Sequence, residues 1–133
     1  MQDFVHLHVH SQYSVLDGQA SVQALVDKAI ADGMKGIALT DHGNMFGIKE
    51  FFNYVKKKNG GTNGEIKELK KKLSQIEAGE LQCEDKEGEI KSCKEKLEAA
   101  KKKLFKPIIG CEMYVAKRAL DKKEGKPDQG GYH

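Results

Sequence analysis

The sequence contains no tryptophan, only two prolines and only three cysteines among its 133 residues. The cysteines (Cys83, Cys93 and Cys111) are odd in number, and none of them forms a Cys-x-x-Cys pair. This pattern fits neither the disulfide framework of a small secreted protein nor a zinc site built from paired cysteines. No signal peptide and no apolar run of membrane-spanning length are present. We therefore expect a reduced, cytoplasmic protein that does not bind membranes.

Hydrophobic residues are also scarce, at 38%, and charged residues are abundant, at 32%. The excess charge is local, because residues 56–106 contain 15 lysines and 10 acidic residues. The rest of the chain contains 8 basic and 10 acidic residues, so it is slightly acidic. A chain with this distribution is not expected to bind nucleic acid along its whole surface.

Three histidines alternate with apolar residues near the start of the chain, in the run Val-His-Leu-His-Val-His over residues 5–10. Successive side chains of a strand point to opposite faces, so a strand over residues 3–10 would place His6, His8 and His10 on one face. Neutral imidazole is the commonest metal ligand in proteins. The run therefore favours a cation site, and the alternative is a solvent-exposed edge strand that is merely rich in histidine.

The weakly acidic part of the chain alternates helical and strand patterns. The spacing predicts a helix between the N-cap Ser21 and Gly33, a buried strand over residues 36–39 and a second helix over residues 46–58. A further apolar strand is predicted over residues 107–115. Strands and helices that alternate with short links are typical of parallel βα units.

Residues 59–104 follow a different pattern, in which a glycine-rich stretch at residues 60–64 is expected to end the preceding helix. Apolar residues then recur at heptad spacing in two arms: Ile66, Leu69, Leu73 and Ile76, then Ile90, Cys93, Leu97, Ala100 and Leu104. A turn-like stretch at residues 79–88 separates the arms, so the spacing predicts an antiparallel coiled-coil hairpin. The lysine runs at residues 70–72 and 101–103 are interpreted as solvated faces, with nucleic acid or partner binding as the alternative.

Side chains of metal-binding type stand at or just after the ends of three predicted strands: His8, His10, Asp17, Asp41, His42 and Glu112. Functional residues of parallel α/β proteins collect at the carboxyl ends of strands. Mixed imidazole and carboxylate donors suit Zn²⁺, Mn²⁺ or Fe²⁺ better than Ca²⁺ or Mg²⁺. Such ions polarise phosphoryl oxygens, so the residue types alone favour a metal-dependent hydrolase.

Three gapless stretches resemble the polymerase-and-histidinol-phosphatase (PHP) domain, especially the version at the N-terminus of bacterial replicative polymerases of the DNA polymerase III alpha family. The stretches are FVHLHVHSQYSVLDG at 4–18, ALTDHGNMFG at 38–47 and KPIIGCEMYV at 106–115. The resemblance implies an α/β fold, namely a distorted (β/α)₇ barrel of which this chain supplies about three of seven strands. It divides the chain into two parts: residues 1–58 with 105–133 as the N-terminal part of the PHP domain, and residues 59–104 as an inserted helical hairpin.

The resemblance also implies a set of metal ligands, which are His8, His10, Asp17, His42, Glu112 and His133. His6 and Asp41 are weaker candidates that would support these ligands. Up to three Zn²⁺, Mn²⁺ or Fe²⁺ ions are implied, and a hydroxide held between them would attack phosphorus, so no side chain is assigned as catalytic. The Mg²⁺ ions of polymerisation would bind elsewhere in the polymerase.

The function implied is that of a piece of a DNA-directed DNA polymerase, which works on DNA with other replicase subunits in the bacterial cytoplasm. Within it the PHP domain is a metal-dependent phosphoesterase, credited in the family with 3′–5′ exonuclease (proofreading) or pyrophosphatase-like activity. The alternatives are a non-catalytic structural or subunit-docking module and a small-molecule phosphatase of the histidinol-phosphatase type. Because further ligands of the family would lie beyond the end of this chain, we expect the isolated chain to be inactive. A partial barrel leaves sheet edges unpaired, so we also expect the chain to self-associate.

Overall fold

The computed structural model describes residues 4–81 and 84–115. The elements in chain order are α1 (Val22–Ala31), β1 (Gly36–Leu39), α2 (Ile48–Lys58), α3 (Gly60–Glu77), α4 (Lys86–Lys103) and β2 (Lys106–Ile109). β1 and β2 pair in a two-stranded parallel sheet, so the chain is of the mixed α/β class. No helix in these two ranges is both long enough and apolar enough to span a bilayer.

The chain divides into two compact units. We call residues 4–52 with 107–115 the sheet unit and residues 53–106 the helical unit. The predicted tail after residue 115 and the tip cysteine Cys83 lie outside the described residues.

α1 begins and ends where the sequence predicts. The side-chain oxygen of Ser21 accepts a hydrogen bond from the backbone N–H of Ala24 at 3.2 Å, the usual arrangement of an N-cap. Gly33 follows the helix with a φ of 76°, a left-handed conformation that glycine adopts without strain. Val22, Val26 and Ala29 are buried, and the helix packs against β1.

β1 is buried along its whole length and lies between two extended neighbours. On one side the backbone N–H of Gly110, just after β2, donates to the carbonyl of Leu39 at 3.0 Å. On the other side the segment 4–10 accepts hydrogen bonds of 2.9 Å from the N–H groups of Ala38 and Thr40. β1 is therefore central, and the histidine-bearing segment runs parallel to it.

The first predicted strand does not form as a regular strand within residues 4–10, so two regular strands are described where three were expected. The carbonyls of His6 and Val9 accept the two hydrogen bonds from the central chain. These carbonyls are three residues apart, whereas the N–H groups that they accept are only two residues apart. The N–H of Val9 donates instead to the side-chain oxygen of Thr40 at 2.8 Å. The extra residue disturbs the alternation of side chains as a β-bulge does, and Leu7, expected on the apolar face, is 67% exposed.

α2 begins at Ile48, two residues later than predicted. The sequence predicts Phe51, Phe52 and Val55 as the apolar stripe of this helix. Phe51 and Val55 are buried, whereas Phe52 is 47% exposed. Residues four apart share a helix face, but adjacent residues are rotated by about 100°. Phe52 therefore cannot point in the same direction as its two predicted companions.

α2 ends at Lys58 as predicted, but the glycine-rich stretch at residues 60–64 is itself helical and forms the start of α3. The N–H of Asn59 donates to the carbonyl of Val55 at 2.9 Å, and the N–H of Asn63 donates to the carbonyl of Asn59 at 2.8 Å. Each glycine disfavours a helix by about 1 kcal/mol. Packing between α3 and α4 offsets this penalty, through a cluster formed by Ile66, Leu97 and Ala100.

Contacts between α3 and α4 join early residues of one helix to late residues of the other. Lys72 pairs with Glu89 at 3.1 Å, Ile66 packs with Leu97, and the side chain of Asn59 bonds to Phe105 just beyond α4. The apolar residues at heptad positions are all buried or half-buried: Ile66, Leu69, Leu73, Ile76, Ile90, Cys93, Leu97, Ala100 and Leu104. α4 starts inside the predicted turn, because the side chain of Asp85 caps it by accepting the N–H of Gly88 at 2.9 Å.

The side chain of Asn59 offers a test of the helical unit, because it donates to the carbonyl of Phe105 at 2.8 Å and accepts its N–H at 3.0 Å. Asn59→Ala removes both bonds and is expected to lower the free energy of unfolding by about 1–3 kcal/mol. Urea denaturation followed by circular dichroism measures the change. The matched control is Asn63→Ala, at an exposed position of α3. Equal stability of the two variants would contradict the role of Asn59.

Candidate metal centre

The pairing of β1 and β2 continues beyond the ends of both strands. The N–H of Glu112 donates to the carbonyl of Asp41 at 3.1 Å, and the N–H of Gly43 donates to the carbonyl of Glu112 at 2.9 Å. His42 and Glu112 thus form a parallel bridge. Each of them is the third residue after its strand, so the register of the sheet makes the imidazole and the carboxylate neighbours.

The segment before α1 brings two further imidazoles to Glu112. The Nε2 atom of His10 lies 2.5 Å from the Oε2 atom of Glu112, and the Nε2 atom of His8 lies 3.6 Å from the same oxygen. The two Nε2 atoms are 3.1 Å apart. The side chains of His10 and Glu112 are 17% and 22% exposed, whereas that of His8 is 71% exposed, so the cluster opens to solvent on the His8 side.

His42 and Asp17 complete the cluster. The Nδ1 atom of His42 lies 3.3 Å from Glu112 Oε2 and 3.3 Å from Asp17 Oδ2. Three of the six residues predicted as ligands, His8, His10 and His42, therefore surround one carboxylate oxygen of a fourth, Glu112, and the fifth, Asp17, joins the cluster through His42. The sixth, His133, lies outside the described residues. His6 does not join the cluster, and its ring packs edge-on against Phe4 with the ring centroids 4.8 Å apart.

The separations between the donor atoms fit a transition-metal ion with a small adjustment. Ligand bonds of about 2.0–2.2 Å place the donors around a tetrahedral Zn²⁺ about 3.4 Å apart. The separation between His8 and His10 and that between His8 and Glu112 lie close to this value. His10 and Glu112 are directly hydrogen-bonded, and their separation has to widen by about 1 Å to admit the ion.

The charge state of Glu112 also suits a cation. Partial burial raises the pKa of its carboxyl group, but the hydrogen bond from His10 and the charges of His10, His42 and His8 lower it further than burial raises it. The net pKa lies below its ordinary value. Glu112 is therefore ionised at neutral pH, and an ionised carboxylate is the form that binds metal.

Asp41, a weaker predicted candidate, lies apart from this group of donors and binds the loop that follows the histidines. Its side chain is buried and accepts the N–H of Ser11 at 2.6 Å. The hydroxyls of Ser11 and Ser14 each lie 2.9 Å from its Oδ1 atom. The hydroxyl of Ser14 also accepts the N–H of His42 at 2.9 Å, and the backbone carbonyl of Ser14 accepts the N–H of Asp17 at 2.8 Å. Asp41 thus positions the loop that carries Asp17.

Three further residues, Ser11, Ser14 and Tyr114, support the cluster without having been predicted from the sequence. The hydroxyl of Tyr114 is hydrogen-bonded to the Nε2 atom of His42. Gly43 makes this approach possible, because a Cβ atom there would lie 2.7 Å from the Tyr114 ring. Tyr114 stands two residues after Glu112, and this spacing places both on one face of an extended chain. The spacing was therefore available in the sequence.

Comparison with known proteins gives a consistent set of relatives. The profile of the family described as PHP domain matches residues 6–129. The DNA polymerase III subunit alpha of Treponema pallidum is 62% identical over 48 residues, which are 36% of this chain and 4% of that protein. The protein of the same name from Borreliella burgdorferi is 54% identical over 54 residues, 41% of this chain and 5% of that protein.

A third relative matches nearly the whole chain. The DNA polymerase III subunit alpha of Chlamydia muridarum is 31% identical over 131 residues, which are 98% of this chain and 7% of that protein. The chain therefore spans less than a tenth of the length of the relatives described here.

The hydrogen bonds of the buried Asp41 carboxylate predict how two substitutions at this position change stability. Asp41→Ala leaves the donors on Ser11 and Ser14 without an acceptor, and it is expected to lower the free energy of unfolding by about 3 kcal/mol or more. Asp41→Asn keeps an oxygen at the Oδ1 position, which receives three of the contacts, so its loss is expected to be less than half as large. Urea denaturation distinguishes the two variants. Equal losses would show that hydrogen bonding does not explain the role of Asp41.

Proposed function

This chain belongs to the PHP domain family, and on that premise we propose that it forms part of a metal-dependent phosphoesterase domain in a bacterial DNA polymerase III alpha subunit. The names of the relatives and the near-complete match to the Chlamydia muridarum protein support the choice of polymerase. The proposed activity of the whole protein is DNA-directed DNA polymerisation in the bacterial cytoplasm. Its proposed partners are DNA and the other replicase subunits.

The observation that carries the proposal is the convergence of three imidazoles on one oxygen of Glu112. His8, His10 and Glu112 provide three donors that lie within 4.8 Å of one another. We assign the ligands proposed here as His8, His10, Asp17, His42 and Glu112, together with His133. Bound Zn²⁺, Mn²⁺ or Fe²⁺ would polarise a phosphoryl oxygen and activate water for attack on phosphorus.

The side chains around the ligands fix their orientation. Glu112 and Asp17 both face the Nδ1 atom of His42, so Nδ1 is the nitrogen that would bind the ion, whereas the Nε2 atom is held by Tyr114. A ligand imidazole held in this way keeps one tautomer and one ring orientation. The exposed edge at His8 gives a phosphodiester a route to the cluster. We propose the 3′ end of a DNA strand as this substrate, which makes the activity a 3′–5′ exonuclease.

The second candidate function is a non-catalytic structural or docking module. Large apolar side chains of the sheet unit face solvent, among them Leu16, which is 95% exposed, Val15, which is 86% exposed, and Phe46, which is 77% exposed. Such a patch is typical of a surface that another part of a protein covers. We do not favour the small-molecule phosphatase, since the relatives described above are named as polymerase subunits.

For the fold, we propose that the sheet unit contributes to a distorted (β/α)₇ barrel and that residues 59–104 are an antiparallel coiled-coil hairpin inserted into it. The burial of the heptad positions supports the coiled coil. The central position of β1, with an extended neighbour on each side, supports the barrel.

The metal and cleavage assignments are tested together in the full-length protein that carries this sequence. The assay measures bound Mn²⁺ and removal of a mismatched 3′ nucleotide, for the wild type, His10→Ala and His6→Ala. His10→Ala is expected to lose bound metal and to cleave at least 100-fold more slowly, with primer extension unchanged. His6→Ala is the matched control, because this histidine lies outside the cluster, and it should retain both properties.

The remaining outcomes of this experiment separate the two candidate functions. Bound metal without cleavage in the wild type would support the structural module instead. Equal metal content in the wild type and His10→Ala would contradict the ligand assignment.

We also propose that the isolated chain self-associates, because β2 presents exposed apolar side chains at Ile108 and Ile109 and an unpaired edge recruits further strands. Light scattering over a range of protein concentrations is expected to show a mass that rises with concentration. A constant monomer mass at the highest concentration would contradict this proposal.

A further inference from the structure

Basic and acidic residues are segregated along the helical unit. Residues 53–64 and 99–106 contain seven lysines and no acidic residue. These lysines, which we call the lysine base, are Lys56, Lys57, Lys58, Lys101, Lys102, Lys103 and Lys106. All seven are exposed. Residues 77–89, around the connection between α3 and α4, contain six acidic residues and one lysine.

The contact between Asn59 and Phe105 gathers the lysine base at one end of the helical unit. The two hydrogen bonds between these residues hold the C-terminal end of α2 beside the C-terminal end of α4. Each of the seven lysines lies within four residues of Asn59 or Phe105. Lysines that are separated by more than forty residues in the sequence are therefore neighbours in the fold.

Contacts within the chain leave this surface strongly positive. Lys101 pairs with Glu98 at 2.6 Å, and the amino group of Lys58 lies 5.2 Å from the centre of the Tyr54 ring. The segments that carry the lysine base contain no acidic residue, and Glu98, next to them in the sequence, supplies one negative charge beside the seven positive ones. A net positive charge therefore remains on the surface.

The helix dipole accounts for part of this distribution but not for all of it. Cations in the last turn of a helix are favourable by about 0.3–1 kcal/mol each, and the effect fades within that turn. Lys106 lies beyond α4, in β2, where the dipole of the helix offers little. The dipole also gives no reason for acidic residues to be absent from residues 59–64. Binding of a partner that carries only negative charges explains both features.

We propose that the lysine base binds the phosphodiester backbone of DNA. The choice of DNA among polyanions rests on the proposed function, since polymerase subunits work on that substrate. Consecutive lysines on a helix point about 100° apart, so they surround the helix end and can contact phosphates on several sides. The acidic residues at 77–89 repel the same polyanion and so limit binding to the base. Binding of this kind is independent of sequence and weakens steeply with salt.

The test measures binding of the full chain to short fluorescein-labelled DNA by fluorescence anisotropy, at about 50 mM and about 200 mM salt, a range over which phosphate contacts weaken strongly. EDTA is present throughout, so that the metal cluster does not contribute. Single-stranded and duplex forms of the same sequence show which phosphate backbone the surface prefers. The test variant replaces Lys101, Lys102 and Lys103 with glutamine. The matched control replaces Lys70, Lys71 and Lys72, which are equally exposed and change the net charge equally.

The test variant is expected to bind at least tenfold more weakly than the wild type, and the control less than threefold. For the test variant and single-stranded DNA, the slope of log K against log salt concentration should also be smaller in magnitude by about 2, because three phosphate contacts are lost. Equal weakening in both variants would show that only net charge matters and would overturn the proposal. Absence of binding by the wild type would also overturn it, and would leave the phosphoesterase proposal standing because EDTA keeps the two independent.

Discussion

The buried carboxylate of Asp41 is the interaction on which the arrangement of the sheet unit depends. A carboxylate that is 1% exposed has to find hydrogen-bond donors, and Ser11 and Ser14 are the donors that the chain supplies. Their bonds to Asp41 fix the loop that begins directly after His10. The same loop carries Asp17 to His42, so a group that lies apart from the metal-type donors determines where two of them stand.

The sequence predicts the local features of this fold well, because short-range chemistry decides them. The N-cap at Ser21 and the heptad burial of α3 and α4 depend on residues a few positions apart. The failures arise where tertiary contacts override local preference. Helical hydrogen bonds continue through the glycines after Asn59, and the first segment gains an extra residue against β1, which exposes Leu7. Neither effect is visible without knowing what each segment packs against.

The cluster could be predicted in outline, since ligands at the ends of parallel strands must come close together. His42 and Glu112 meet because each stands three residues after its strand. The spacing of Tyr114 from Glu112 also indicates a shared face, whereas the contribution of Ser14 could not be predicted, because it depends on the register between segments distant in sequence. The helical unit, by contrast, carries a separated charge distribution that the family resemblance does not explain.

Anomalous X-ray diffraction from a crystal grown with Mn²⁺ shows directly whether the donors around Glu112 form a metal site. We expect an anomalous peak among His8, His10 and Glu112, with the contact between His10 and Glu112 opened to admit the ion. A fully occupied Mn²⁺ peak elsewhere, with His10 still hydrogen-bonded directly to Glu112, would show that these donors are not a metal site.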